Sequence, residues 1–190
     1  MRIALFASGT GSNVKNIIEY FSDKPKVSIV SVYSNKQNAG ALTHATNAGI
    51  LTRVFSGAEL KEIAPIYQLI EKDRIDLIVL AGFLLKIPEE FIVKFKGKII
   101  NLHPSLLPKY GGKGMYGNNV HKAVLAAGEK KTGITIHYVN EHYDKGAIIK
   151  QFETALSTED TLESVGLKIK ELEKKYFPST IEELTTTTQL

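Results

Sequence analysis

Ile3-Ala4-Leu5-Phe6-Ala7 runs directly into Ser8-Gly9-Thr10-Gly11-Ser12-Asn13, and Val14, Ile17, Ile18 and Phe21 follow at helical spacing. The apolar run is too short for a membrane span or a secretory signal core, so it is a buried strand. The i, i+3, i+4, i+7 stripe behind the loop gives one apolar helix face that can cover a sheet. Val27 to Tyr33 is the next strand. Strand, helix and strand then form a βαβ unit, which requires parallel pairing.

Outward from this unit the pattern repeats. Leu77 to Ala81 and Ile99 to Leu102 are further branched apolar runs, and helical segments lie between the strands. Ala39 to Ala48 is a helix ended by Gly49. A second lies within Leu60 to Lys72, where Pro65 is admissible only in a first turn. A third, Pro88 to Phe95, opens on its proline. Thr135 to Val139 and Ile148 to Phe152 are strands, and Leu162 to Tyr176 is a closing helix. The expected fold is α/β: a Rossmann-like, mostly parallel sheet with helices on both faces. One domain should span residues 1–184, with the Thr-rich 185–190 as a short frayed tail.

Composition narrows the function classes. With 43% apolar and 23% charged residues among 190, the chain is an ordinary globular protein. It has no cysteine. That excludes disulfides and thiolate metal sites and suits a reducing, cytoplasmic setting. The formal charge of +4 is scattered, with only pairs such as Lys130-Lys131 and Lys174-Lys175. Neither a nucleic acid nor a membrane is the expected partner; a small anionic ligand is. His44, His121, His137 and His142 include no i, i+4 pair of the helical zinc type. They are expected at the surface or as satisfied core residues, with no metal, although His137, His142 and Asp144 could be drawn as ligands across a turn.

Two loops border the carboxyl ends of the strands, where ligands bind in open α/β sheets. Ser8 to Asn13 joins a strand to a helix, so backbone N–H groups and the helix N-terminus converge on a place for an anion. A tight turn capped by Ser12 or Asn13 is the plainer alternative. A dinucleotide site would want glycine at position 14 and an acidic residue ending the second strand. The chain has Val14 there, and Tyr33-Ser34-Asn35. No Gly-Lys-Ser or Gly-Lys-Thr follows, which excludes a Walker loop. The second loop, Pro104 to Asn119, is rich in Pro and Gly.

The second loop leaves a strand that ends Asn101-Leu102-His103-Pro104-Ser105-Leu106-Leu107-Pro108. Alternation puts Asn101 and His103 on one side of that strand. An amide donor beside an imidazole suits acyl transfer to an amine: one stabilises an oxyanion, the other assists and moves protons. Asp144, in the turn Tyr143-Asp144-Lys145-Gly146, is the natural partner for the imidazole. Taken singly, His103 could be a strand-end histidine bonded to backbone, and Asp144 an ordinary turn aspartate.

Through Asn-x-His-Pro-Ser-Leu-Leu-Pro, the later Asp-x-Gly turn and the Gly-x-Gly-Ser-Asn loop, the chain resembles the glycinamide ribonucleotide (phosphoribosylglycinamide) formyltransferase family. The resemblance runs from Ile3 to about Pro178 and implies the formyltransferase fold. It implies transfer of a formyl group from 10-formyltetrahydrofolate, as cosubstrate, to the amine of a ribosyl phosphate in purine biosynthesis. By it, Asn101, His103 and Asp144 are catalytic. Gly11, Ser12 and Asn13 bind the phosphate, and Lys170 and Glu173 contact phosphate and ribose. Without the resemblance the last two would be an i, i+3 pair on a solvated helix.

The resemblance also assigns the folate. Leu84, Leu85, Lys86 and Ile87 line the pterin pocket, Asn101 contacts it, and Asn140, Glu141, His142, Tyr143 and Asp144 close over it. The stretch Tyr110 to Asn119, containing Gly111-Gly112-Lys113-Gly114, is longer than the family's usual loop. A related transfer to methionyl-tRNA, or hydrolysis of the formyl folate, would share the trio, but those enzymes carry an added domain for which the length leaves no room. A non-catalytic nucleotide-binding module would have no use for the trio.

Overall fold

The computed structural model describes residues 1–187. Seven strands form one sheet in the order β3-β2-β1-β4-β5-β6-β7: β1 Arg2–Phe6, β2 Ser28–Ser34, β3 Leu51–Val54, β4 Leu77–Leu80, β5 Ile99–His103, β6 Lys131–Tyr138 and β7 Ile148–Ala155. The first five are parallel. β6 and β7 add antiparallel to the β5 edge. The order reverses between β1 and β4, and a crevice opens at such a switch point.

Both faces are covered, as the branched runs require. Alternation along β1 sends Ile3 and Leu5 to a core shared with helices α1 (Ser12–Phe21), α2 (Gly40–Asn47) and α7 (Leu162–Thr187). It sends Ala4 and Phe6 to the other face, under α3 (Gly57–Glu62), α4 (Ala64–Lys72) and α5 (Glu89–Lys94). A third core, containing Val120, Val124 and Val165, lies under α6 (Asn118–Ala126) and α7.

The elements differ from the sequence expectation in several places. The short edge strand β3 and helix α6 carry weak periodic signals and were not expected. The region 57–72 holds two helices: α3 has a Ser56–Glu59 capping box, Ile63 turns the chain at φ 61, and Pro65 sits in the first turn of α4. Pro88 is the N-cap of α5 rather than its first helical residue.

The closing helix is the largest departure. It runs for 26 residues with Pro178 inside it, well past Tyr176. A proline there lacks the N–H that would bond the Lys174 carbonyl, at a cost of about 3 kcal/mol. Asn16 Nδ2 of α1 donates to that carbonyl instead, at 3.0 Å. Phe177 and Ile181 are fully buried, and each is worth about 1.5–3 kcal/mol, enough to offset the proline. Tyr20 Oη and Lys24 Nζ bond Glu182 at 2.5 and 2.8 Å. The helix continues through Thr187, into the stretch expected as a tail, and 188–190 lie outside the described residues.

Candidate active site

A cleft of ≈ 1120 Å³ opens at the carboxyl ends of β1, β4 and β5. One side is built by β5 and β6. Asn101 and His103 share a side of β5, and antiparallel pairing sets His137 opposite Asn101. The turn between β6 and β7 then delivers Asp144, held at φ 54. Asp144 Oδ2 lies 3.5 Å from His103 Nδ1, and Oδ1 lies 3.7 Å from His137 Nε2. Both rings are almost wholly buried.

The hydrogen bonds fix the proton positions. His137 Nδ1 lies 2.8 Å from the Tyr138 carbonyl, which can only accept, so Nδ1 carries the hydrogen. Burial holds this imidazole below its ordinary range and His103 acts in the same direction, against the Tyr138 carbonyl and Asp144. The neutral ring thus offers a lone pair at Nε2, and Asn101 Nδ2 donates to it at 3.2 Å. The second N–H of that amide is left for a ligand. His103 is tied in the opposite sense: Nε2 donates to the Tyr110 carbonyl at 2.8 Å. Its exchangeable position is therefore Nδ1, facing Asp144. That contact is attractive only while a proton lies between ring and carboxylate.

The segment 109–112 braces both residues. Tyr110 is in the left-handed region at φ 57 and presents its carbonyl to His103. Gly112 N–H donates to Asp144 Oδ2 at 2.8 Å. A Cβ on Gly111 would fall 3.2 Å from Asp144 Cβ and 2.6 Å from Leu107 Cδ2, so a side chain there would press on Asp144 and displace the end of Leu107. From outside, Glu129 accepts from Lys109 Nζ and Tyr110 Oη at 2.7 and 2.8 Å.

A second part of the cleft lies between α1 and α7. The N-terminus of α1 has no side-chain cap, so its first-turn N–H groups remain available. Ser12, Asn13, Lys170 and Glu173 all line the cavity. Asn13 Nδ2 donates to Glu173 Oε2 at 2.8 Å. Burial pushes the Glu173 carboxyl above its usual range, opposed by the Asn13 bond and by Lys170. Gly11 does not line the cavity. It is buried at φ 81, and a Cβ there would meet the Ala41 Cα at 2.4 Å. Its smallness lets the loop pack on α2.

The third part is lined by Leu84, Leu85, Lys86 and Ile87 after β4 and by Asn140, Glu141, His142 and Tyr143 before β7. Ser8 ties this lip to the first loop: its hydroxyl accepts from Leu84 N–H at 2.9 Å and donates to Asn35 Oδ1 at 2.6 Å. Lys86 Nζ stands 5.6 Å from the Tyr143 ring centre, linking the two lips. Asn140 shapes its own turn, accepting from His142 N–H at 3.1 Å.

The structure thus brings every expected site residue except Gly11 to one cleft. Sequence reasoning missed His137 and His121 as site residues, both of which line it, whereas residues 112–118 belong to the second loop it expected to border the site. For His137 a signal existed, since pairing of the two strands places it opposite Asn101. Among the described residues no group of three or more His, Asp or Glu could hold a metal ion, and no helix is long and apolar enough to cross a membrane.

Residues 1–181 match the model of the formyl transferase family. The chloroplastic phosphoribosylglycinamide formyltransferase of Vigna unguiculata is 39% identical over 96% of this chain, which spans 60% of that protein's length. The phosphoribosylglycinamide formyltransferase of Haemophilus influenzae is 36% identical, with 95% of this chain and 85% of the relative covered. The crystal structure of the Anaplasma phagocytophilum phosphoribosylglycinamide formyltransferase superposes with a TM-score of 0.90 at 35% identity, covering 98% of this chain and 87% of that one. The chain belongs to the formyl transferase family, in its phosphoribosylglycinamide formyltransferase branch.

Proposed function

We propose that this chain transfers the formyl group of 10-formyltetrahydrofolate to the amine of phosphoribosylglycinamide, a step of purine biosynthesis, in the cytoplasm. The observation that carries the proposal is the placement of Asp144 between two buried histidines in the same cleft as an uncapped helix N-terminus and Lys170. The first group of residues suits acyl transfer, the second a phosphate. The cleft's ≈ 1120 Å³ exceeds the roughly 300–1,000 Å³ of a single-ligand pocket, as two substrates bound together require.

Each residue then has a role set by its hydrogen bonds. The amine nitrogen forms a bond to the formyl carbon, whose oxygen gains the charge of a tetrahedral intermediate. The free N–H of Asn101 stabilises that oxygen, with its amide oriented by neutral His137. The intermediate collapses as the bond from the formyl carbon to the folate nitrogen breaks. One proton must pass from the attacking nitrogen to the leaving one, and His103 Nδ1 is the position able to carry it, with Asp144 stabilising the charged ring. The anchored phosphate orients the distant amine, so its binding energy serves the chemical step. Leu84 to Ile87 and Asn140 to Tyr143 offer apolar walls and backbone polar groups to a flat, polar-edged pterin.

The test supplies the purified chain with 10-formyl folate and one acceptor at a time: phosphoribosylglycinamide, its dephosphorylated riboside, methionyl-tRNA, or water alone. Deformylated folate should accumulate fastest with phosphoribosylglycinamide. Faster transfer to tRNA or water would reject the acceptor, and no transfer at all would reject the activity.

A further inference from the structure

His121 stands on α6, 6% exposed, and lines the cleft on the side where α6 packs against α7. A methyl added to Gly166 of α7 would lie 4.0 Å from the ring's Cδ2. Lys170 is one helical turn beyond Gly166, on the same face. The ring's two nitrogens are unequal. Nδ1 is sealed from solvent and has no hydrogen-bond partner. Nε2 bonds to no described residue and is not among the sealed atoms, which leaves it facing the cleft.

This inequality determines which form the ring takes. An imidazolium would bury an N–H at Nδ1 without an acceptor, beside the charge of Lys170. A neutral ring with its hydrogen on Nε2 leaves only a bare lone pair at Nδ1, which costs less. Burial and then Lys170 hold the ring below the ordinary imidazole range, in the same direction. The charged groups around this part of the cavity are Lys113 of the preceding loop and Glu163, Lys170 and Glu173 of α7; α1 contributes Ser12 and Asn13 and no charge. His121 is thus an uncharged donor lining the same cavity as a cation and an uncapped helix N-terminus. Donors from three elements around one cavity suit an anion with several equivalent acceptor oxygens, which is a phosphomonoester.

We propose that His121 is a further phosphate-binding residue, its neutral Nε2–H donating to a terminal oxygen that Lys170 and the α1 N-terminus do not satisfy. The proposal rests on the reading of the activity only for the molecule that carries the phosphate. The probe is therefore ribose 5-phosphate, with ribose as control, titrated calorimetrically into the full chain and into His121→Ala and His121→Gln. A hydrogen bond to a charged acceptor predicts roughly tenfold or greater weakening for His121→Ala, with partial recovery for His121→Gln, which keeps an N–H donor. ¹⁵N spectra of the His121 ring at neutral pH should show the neutral Nε2–H form in the complex. Unchanged affinity in a natively folded His121→Ala, or an imidazolium in the complex, would overturn the proposal. If the wild type failed to transfer formyl groups yet bound ribose 5-phosphate through His121, the proposed activity would fall while this contact stood.

Discussion

The two ends of the cleft are built in opposite ways. Around Asp144, the side chains of Asn101, His103 and His137 each have a protein partner, and Asp144 itself accepts from Gly112 N–H. Between α1, α6 and α7 the α1 N-terminus lacks a cap and His121 Nε2 bonds to no described residue. Lys170 is exposed. The first end has its directions set before a ligand arrives, since reacting groups must be held in fixed orientation. The second keeps donors without acceptors, and an anion can supply all of them at once.

Removing a pre-set group should have the largest effect. His103→Ala and Asp144→Asn should each lower kcat by about a hundredfold or more, and Asn101→Ala by a similar order. Near wild-type turnover in all three, with native circular dichroism, would mean the chemistry lies elsewhere. At the other end, Gly11→Val places a side chain against the Ala41 backbone at positive φ. It should cost about 2–3 kcal/mol in urea unfolding, beyond any change in substrate affinity. An unshifted unfolding midpoint would contradict the packing described for that loop.

Acid should sharpen the comparison more gently. The folded state holds His137 and His121 below their ordinary range, whereas the unfolded chain takes up protons near pH 6.5, as free imidazoles do. Stability from these rings is therefore complete above about pH 6.5 and is lost as pH falls, with a slope of at most about 1.4 kcal/mol per pH unit for each. Urea midpoints at pH 7.5 and 5 should diverge less for a His121→Gln, His137→Gln double variant than for wild type. Equal divergence would remove the two rings as its cause. Smallest of all, Glu129→Ala releases Lys109 and Tyr110 on the outer side of the brace. A pair this exposed contributes under about 1 kcal/mol to stability. The expected signature is a few-fold fall in kcat with KM held. A change in KM alone would separate Glu129 from the positioning of His103.

The fold and most of the site were legible because both rest on local signals. Branched apolar runs between amphipathic stripes specify a parallel sheet, and strand alternation alone puts Asn101 and His103 together. What escaped depends on contacts distant in sequence. Pro178 argues against a helix until Asn16 is seen to take the orphaned Lys174 carbonyl. The packing demand on Gly11 shows only once α2 is seen against it. His137 and His121 are ordinary in sequence because their roles come from which nitrogen is blocked, and blocking is a tertiary property. Even the Asp144 contact required the β6–β7 turn to be placed.

The seam between the first loop and α2 limits how the protein could be altered to take other substrates. A Cβ on Gly11 meets the Ala41 Cα at 2.4 Å, and one on Gly40 meets the Thr10 carbonyl oxygen at 2.5 Å. Two stretches of main chain touch there without intervening side chains, and neither can gain an atom without displacing the other. An engineer seeking room for a bulkier acidic group therefore gains nothing by enlarging residue 11 or 40, and library diversity spent there would yield destabilised clones. Freedom lies on the opposite wall, where a methyl at Gly166 still clears its nearest neighbour by 4.0 Å. Diversifying α6 and α7 while leaving positions 11, 40 and 41 untouched is the course the backbone permits.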